Sequence, residues 1–294
     1  MNAKEIALSK QELISYSLSQ SDSNLVFDFS RIPNKQSDKV LATLIRESKN
    51  GVRALTLCLD SYYEFYDLTS SFKPNFRTLQ AVKHEPSSLA NSAFRRDKTA
   101  IQSIVIALKY ILSRAQCLEH LGFRNIPFDS RQLVEIGKSL EKSVSLKSLS
   151  FDNVQLYDDG FTIIAKSIRK LKMVRLECRN CNLTDSSSAS IKMLLNYYSV
   201  NSVGTRRSKK TSKVEFTDNM SFQVLDLRYN SFSYRLLLEI GDVLSIVPLK
   251  VLDIRYNQLI DSKIASNMKS AIHGLDVRVN SQQTSRMGYQ DGFF

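Results

Sequence analysis

FQVLDLRYNSF at 222–232 and LKVLDIRYNQL at 249–259 write nearly the same line twice, 27 residues apart. Both fit the frame L-x-x-L-x-L-x-x-N/C-x-L, and the same frame starts at Leu118, Leu146 and Met173. Positions one, four, six and eleven run from Leu118, Leu121, Phe123 and Phe128 in the first frame to Leu249, Leu252, Ile254 and Leu259 in the fifth. All twenty are apolar, where a chain of 43% apolar content would supply roughly nine by chance. The frame reads as a short strand with alternate residues turned inward, then a turn that sends the chain into a helix on the outer side. Position nine faces the turn interior. There Asn230 and Asn257 can bond the backbone of neighbouring turns, while Ile126, Val154 and Cys181 fill the same column with apolar bulk.

The first three starts are spaced by 28 and 27 residues, enough for a strand plus a full helix. The intervening sequence agrees: Leu133, Ile136, Gly137 and Leu140 share one helical face, as do Phe161, Ile164, Ala165 and Ile168. Asp129 and Asp158 stand where an N-cap is wanted. One strand-helix unit cannot bury its own apolar face, so at least about three must stack. The expected fold is therefore α/β, a leucine-rich-repeat solenoid of the long, ribonuclease-inhibitor-like type, with 27–28-residue repeats and a parallel sheet on its concave face. It forms a single domain over 1–280: a cap helix within 1–23, degenerate repeats over 24–117, and regular repeats over 118–280. A polar tail follows over 281–294.

Towards the N-terminus the frame fades. Val52, Leu55 and Leu57 make a fair unit, and Phe27, Phe29 and Ile32 a poorer one. The 66 residues from 52 to 118 leave room for a degenerate unit near LQAVKH plus an insertion around Pro86. IQSIVIALKYIL predicts a helix, with Ile101, Ile104, Val105, Leu108 and Leu112 at helical spacing. Residues 4–19 predict an amphipathic capping helix, and LDVRV at 275–279 a closing strand.

Between Met173 and Phe222 the spacing is 49, one repeat plus a surplus of about 22 that falls at about 197–218. This surplus packs Arg206, Arg207, Lys209, Lys210 and Lys213 into eight positions with almost nothing apolar to anchor them. It reads as a loop on one rim of the solenoid, where repeat proteins commonly place binding function. A tolerated insertion without function and a nuclear import signal are the competing readings.

Frame positions five, seven and eight are expected to face the hollow side of the sheet. Position seven reads Arg124, Asp152, Arg179, Arg228, Arg255; position five ends in Glu177, Asp226, Asp253, and position eight in Tyr229, Tyr256. Such a ladder can simply neutralise itself. The functional alternative is a protein-binding patch of Arg179, Arg228, Arg255, Tyr229 and Tyr256, because arginine and tyrosine dominate contact energies.

The chain as a whole carries a net charge of +12, which favours acidic partners. No run approaches the ~18 apolar residues of a membrane span, and the first residues lack the apolar stretch of a secretory signal, so an intracellular protein without membrane contact is expected. Four cysteines do not make a disulfide scaffold in 294 residues. CRNC at 178–181 matches C-x-x-C, but both sulfurs fall on inward positions and no second pair exists, so core packing is the expectation. His84, His120 and His273 stand apart from the cysteines and from one another. No catalytic, metal or cofactor site is expected, and no nucleic-acid reading motif, which disfavours that class of partner.

The run LEHLGFRNI, LVEIGKSLEKSVSLKSLSFDNVQLYDDGFTIIAKSI, CNLTDSS, then the basic interruption and LKVLDIRYNQLIDSK, resembles the leucine-rich-repeat region of the seventy-eight-kilodalton centrosomal protein family over roughly 95–265. The resemblance implies a non-enzymatic protein of the centrosome, centriole, basal body or cilium, part of the cytoskeleton in the cytoplasm. Its implied roles are ciliary assembly and the recruitment or restraint of ubiquitin-ligase machinery. Longer members continue into a C-terminal coiled coil, whereas this sequence ends at SQQTSRMGYQDGFF. The leading expectation is an interaction scaffold whose partner is tubulin or another centriolar or axonemal protein, tubulin's acidic surface suiting the positive charge. A leucine-rich-repeat GTPase-activating or ubiquitin-ligase adaptor protein is the alternative. The GTPase-activating type typically bears an acidic segment absent here, and a ribonuclease-inhibitor-like binder would meet a basic target with like charge.

Overall fold

In the computed structural model of the protein, the described residues are 24–29, 37–47, 51–59, 98–202, 222–258, 272 and 274–279. The expected cap helix, the unit near LQAVKH, the cluster at 206–213 and the tail from 281 lie outside them. Eight strands form one all-parallel sheet whose spatial order follows the chain. They are β1 Asn24–Asp28, β2 Ala54–Cys58, β3 His120–Arg124, β4 Ser148–Asp152, β5 Arg175–Arg179, β6 Val224–Asp226, β7 Val251–Asp253 and β8 Asp276–Arg278. Helices alternate with them: α1 Ser37–Glu47, α2 Lys98–Arg114, α3 Ser130–Leu140, α4 Tyr157–Ile168, α5 Ser188–Ser202 and α6 Tyr234–Leu244. A short 3-10 turn, Asp185–Ser187, precedes α5.

The register explains the period. Leu25, Leu55, Leu121, Leu149, Leu176, Leu225, Leu252 and Val277 stand side by side in one column across the sheet. Because strand side chains alternate, this column and the next, Phe27, Leu57, Phe123, Phe151 and Cys178, face the helices, and both are buried. Phe123 stacks on Phe151 with centroids 5.2 Å apart and meets Phe128 edge-on at 5.3 Å, so the contact passes from turn to turn. The predicted apolar faces of α2, α3 and α4 join the same core. A parallel sheet of short strands alternating with helices is compatible with a solenoid-like repeat.

β2 pairs directly with β3. Likewise β5 pairs with β6 across the basic interruption. The root of that interruption is held firmly. Tyr198 donates its hydroxyl to the carbonyls of Ile168 and Leu171 at 2.8 and 3.0 Å and stacks on Phe222 at 5.0 Å, joining the two flanks of the insertion. Helix α5 runs to Ser202, so the surplus expected to begin at about 197 is helical for its first residues.

Two local expectations need correction. Asp129 does cap α3, accepting from Gln132 N at 2.8 Å, and the Gln132 side chain accepts from Asp129 N in return. Asp158 does not cap α4. It lies in the first helical turn and reaches sideways, accepting from Thr184 N at 2.9 Å, Thr184 Oγ1 at 2.7 Å and the Ser187 hydroxyl. The next turn repeats the device: Asp185 accepts from Ser233 N at 2.9 Å and from its hydroxyl. The second correction concerns frame position eight. Asn125, Asn153, Asn180, Tyr229 and Tyr256 all have φ between 50° and 61°, so this position is a left-handed bend that lies beyond the strand in every turn, not a further strand residue.

The predicted closing strand is present as β8, with a shift. Its LDVR matches the LDLR and LDIR of the preceding turns, yet Leu252 pairs with Val277 rather than Leu275. A two-residue offset keeps the same faces inward, and Leu275 and Val277 are both buried.

Candidate interaction surface

Opposite the helices, frame position five becomes acidic in the later turns: Glu177, Asp226 and Asp253 follow Thr56, Gly122 and Ser150 in one column. Three carboxylates in adjacent rungs would repel one another, and they are nearly sealed from water, with side chains 3, 5 and 3% exposed. Arginines roof them. Reading along the sheet, Arg175 Nε lies 2.7 Å from Glu177, and Arg179 bridges Glu177 at 2.9 Å and Asp226 at 2.7 Å. Arg228 holds Asp226 at 2.9 Å and reaches Asp253 at 3.5 Å, and Arg255 holds Asp253 at 2.6 Å. The result is one zigzag of alternating sign across three strands and the bends that follow them. Arg124 and Asp152 form a separate pair at 3.3 Å on the neighbouring turns.

Asp226 and Asp253 are placed alike by the shared D-x-R sequence. Each accepts the backbone N–H of the arginine two residues on, at 3.1 and 3.3 Å, and the Nε of the same arginine at 3.0 and 2.9 Å. Burial alone would push the Asp226 carboxyl up, but Arg179 and Arg228 together hold it below the ordinary aspartate value. Glu177 goes the other way: burial dominates and its carboxyl is raised, with Asp226 adding repulsion. The surrounding carboxylates outweigh burial at Arg179 and keep it firmly charged.

Beside this ladder runs the position-eight column. Asn153 donates to Asn125 Oδ1, and Asn180 donates to Asn153 Oδ1 at 2.8 Å. The last two turns replace amides by rings: Tyr229 and Tyr256 stack with centroids 4.4 Å apart and planes within 3°. A left-handed tyrosine is uncommon, since its Cβ crowds the following carbonyl, whereas asparagine tolerates the conformation. Backbone N–H groups of Asn125, Asn153, Asn180 and Tyr229 each donate to the position-seven carbonyl of the next turn at 3.0, 2.9, 3.1 and 3.2 Å, which fixes the bend.

Of the predicted site residues, Arg179, Arg228, Arg255, Tyr229 and Tyr256 are thus brought together on one face, whereas Arg206, Arg207, Lys209, Lys210 and Lys213 lie outside the described residues. Sequence reasoning left out Arg175 and cast the carboxylates only as neutralising partners of the arginines two residues on, a pairing that the structure shows at Arg179, Arg228 and Arg255. The signal was available: RLECR at 175–179 places Arg, Glu and Arg at every second residue, hence on one strand face.

The column-nine asparagines do what their position predicted. Asn230 Oδ1 accepts from Cys181 N and Leu183 N at 2.9 and 3.1 Å, and its Nδ2 donates to the carbonyls of Cys178 and Leu227 at 2.7 and 2.9 Å. Asn257 repeats this with Phe232 N at 3.1 Å and the carbonyls of Leu227 and Ile254, both at 2.9 Å. Cys178 and Cys181 are fully buried, and burial raises both and holds them as thiols. Among the described residues no group of three or more His, Cys, Asp or Glu could hold a metal ion, and no helix is long and apolar enough to cross a membrane. No family model matches the chain, and no curated protein matches it.

Proposed function

We propose that the chain is a leucine-rich-repeat solenoid of the ribonuclease-inhibitor-like type, acting as a non-enzymatic scaffold that binds a protein partner through the strand face of its later turns. The observation that carries this reading is the ladder from Arg175 to Arg255. Ion-paired, partly buried guanidiniums and two stacked tyrosines occupy the face that none of the described helices covers. A scaffold needs such a face and little else. The basic cluster at 206–213 lies between β5 and β6 in the sequence and is proposed as a second contact.

The proposed place of action is the centriole, basal body or cilium, with tubulin, another centriolar or axonemal protein, or a ubiquitin-ligase component as partner. This part rests on the sequence resemblance over 95–265. Imaging the tagged full chain in a ciliated cell tests it: signal at the centriole or along the ciliary shaft supports the proposal, and a diffuse or nuclear signal overturns the placement. Co-sedimentation of the same chain with isolated centriolar and ciliary fractions tests the scaffold role, which complete absence from the pellet would contradict.

A further inference from the structure

We propose that the arginine ladder receives an acidic peptide segment of the partner, its carboxylates bound by the outer edges of Arg179 and Arg228 while the chain lies against the Tyr229–Tyr256 stack. This rests on the scaffold reading and gives its contact a chemistry.

The first support is the way the guanidiniums are used. Arg179 bonds Asp226 through Nε and Glu177 through Nη2, and Arg228 bonds Asp226 through Nε and Nη2. In both residues the second terminal nitrogen, Nη1, stands outside these pairs. A guanidinium presents five N–H donors in a fixed fork, so gripping a carboxylate from below leaves donors for an anion above. The second support is preorganisation. An exposed arginine must give up side-chain freedom to bind, whereas Arg179 and Arg228 are already anchored to buried carboxylates and are only 22 and 14% exposed. Their surroundings are also poorer in water than an open surface, which strengthens an added ion pair.

Charge fixes the class of ligand. Arg179 and Arg228 are already paired with Glu177 and Asp226, so what they offer an incoming group is cationic N–H donors, within a chain of net +12. Two donor sites above a carboxylate floor suit the sparse anions of an acidic peptide. A nucleic-acid backbone, with a phosphate at every residue, would bring dense negative charge close to Glu177, Asp226 and Asp253. The tyrosine pair suits the peptide as well, offering ring area at low entropic cost.

The test uses the full chain and a fluorescein-labelled peptide of alternating glutamate and alanine, titrated by fluorescence anisotropy at low and near-physiological salt. A lysine-alanine peptide and a single-stranded oligonucleotide serve as comparisons. The glutamate peptide is expected to bind, more weakly as salt rises, and the lysine peptide not to bind. Asp226→Asn with Arg228→Gln removes a pair together and is expected to weaken binding at least tenfold. Arg179→Lys keeps the charge but loses the fork and is expected to weaken it several-fold, which preserves the test if the double variant fails to fold. The proposal is overturned if folded Arg179→Lys binds like the wild type, if the oligonucleotide displaces the peptide at lower concentration, or if only neutralising Arg206, Arg207, Lys209, Lys210 and Lys213 abolishes binding. Each of those results leaves the scaffold reading to stand or fall on sedimentation.

Discussion

Asn230 and Asp226 sit four residues apart and show how much of this molecule depends on single polar side chains. Asn230, itself buried, satisfies two backbone N–H groups and two carbonyls, from Cys178 to Leu227. Asn230→Ala is expected to lower unfolding stability by about 3 kcal/mol in urea denaturation, since several buried groups lose their partner at once. Asp226 makes stability depend on pH. Its carboxyl is held below the unfolded value of 3.8, so its stabilising effect is present above that pH and is lost as pH falls through the lower folded value. Glu177, raised above 4.5, has the opposite sign: its contribution is greatest below 4.5 and shrinks as pH climbs through its higher folded value. Asp226→Asn leaves Arg179 with Glu177 alone and Arg228 with only its longer contact to Asp253, and is expected to be about 3 kcal/mol less stable than wild type near pH 7. Urea titrations at decreasing pH should show that gap closing below 3.8; a constant gap would mean that the ion pairs do not hold these rungs.

At the scale of elements, strand and helix faces were legible because apolar side chains must alternate by two in the strand and by 3.6 in the helix, and both periods stand in the sequence. Asn230 and Asn257 were legible because a polar residue at an inward position has to serve the backbone. Position eight was misread. Three successive asparagines at 125, 153 and 180 were the signal for a left-handed bend, but the tyrosines at 229 and 256 hid it, since nothing local favours tyrosine there. Asp158 was misread because an aspartate at a helix start ordinarily caps its own helix, and only the neighbouring turn reveals Thr184 as its partner. The carboxylate floor was half legible: the sequence put acids beside arginines but could not tell which lay beneath. Helix packing adds a case where propensity and contact disagree. Alanine for glycine inside a helix ordinarily gains about 1 kcal/mol, yet a Cβ on Gly137 would stand 2.6 Å from Ser167 Oγ and 3.3 Å from Ile163 Cγ2. Contact wins: Gly137→Ala is expected to lower the melting temperature, and adding Ser167→Ala to recover part of the loss.

Across the whole molecule, each turn borrows its core from the next. Phe151 is fully buried between Phe123 and the Cys178 rung. Its replacement by alanine is expected to cost about 3–5 kcal/mol and to speed amide exchange in β3 and β5 as well as β4. Exchange confined to β4 would mean that the turns do not share their stability. Most telling is the junction at the basic interruption, where Leu176 and Leu225, 49 residues apart, must still be neighbours. Nuclear Overhauser contacts between leucine methyl groups, on protein labelled at those methyls, read this directly. An unbroken series of cross-peaks is expected from Leu149 through Leu176 and Leu225 to Leu252. A series that stops at Leu176, with Leu225 and Leu252 touching only each other, would contradict it.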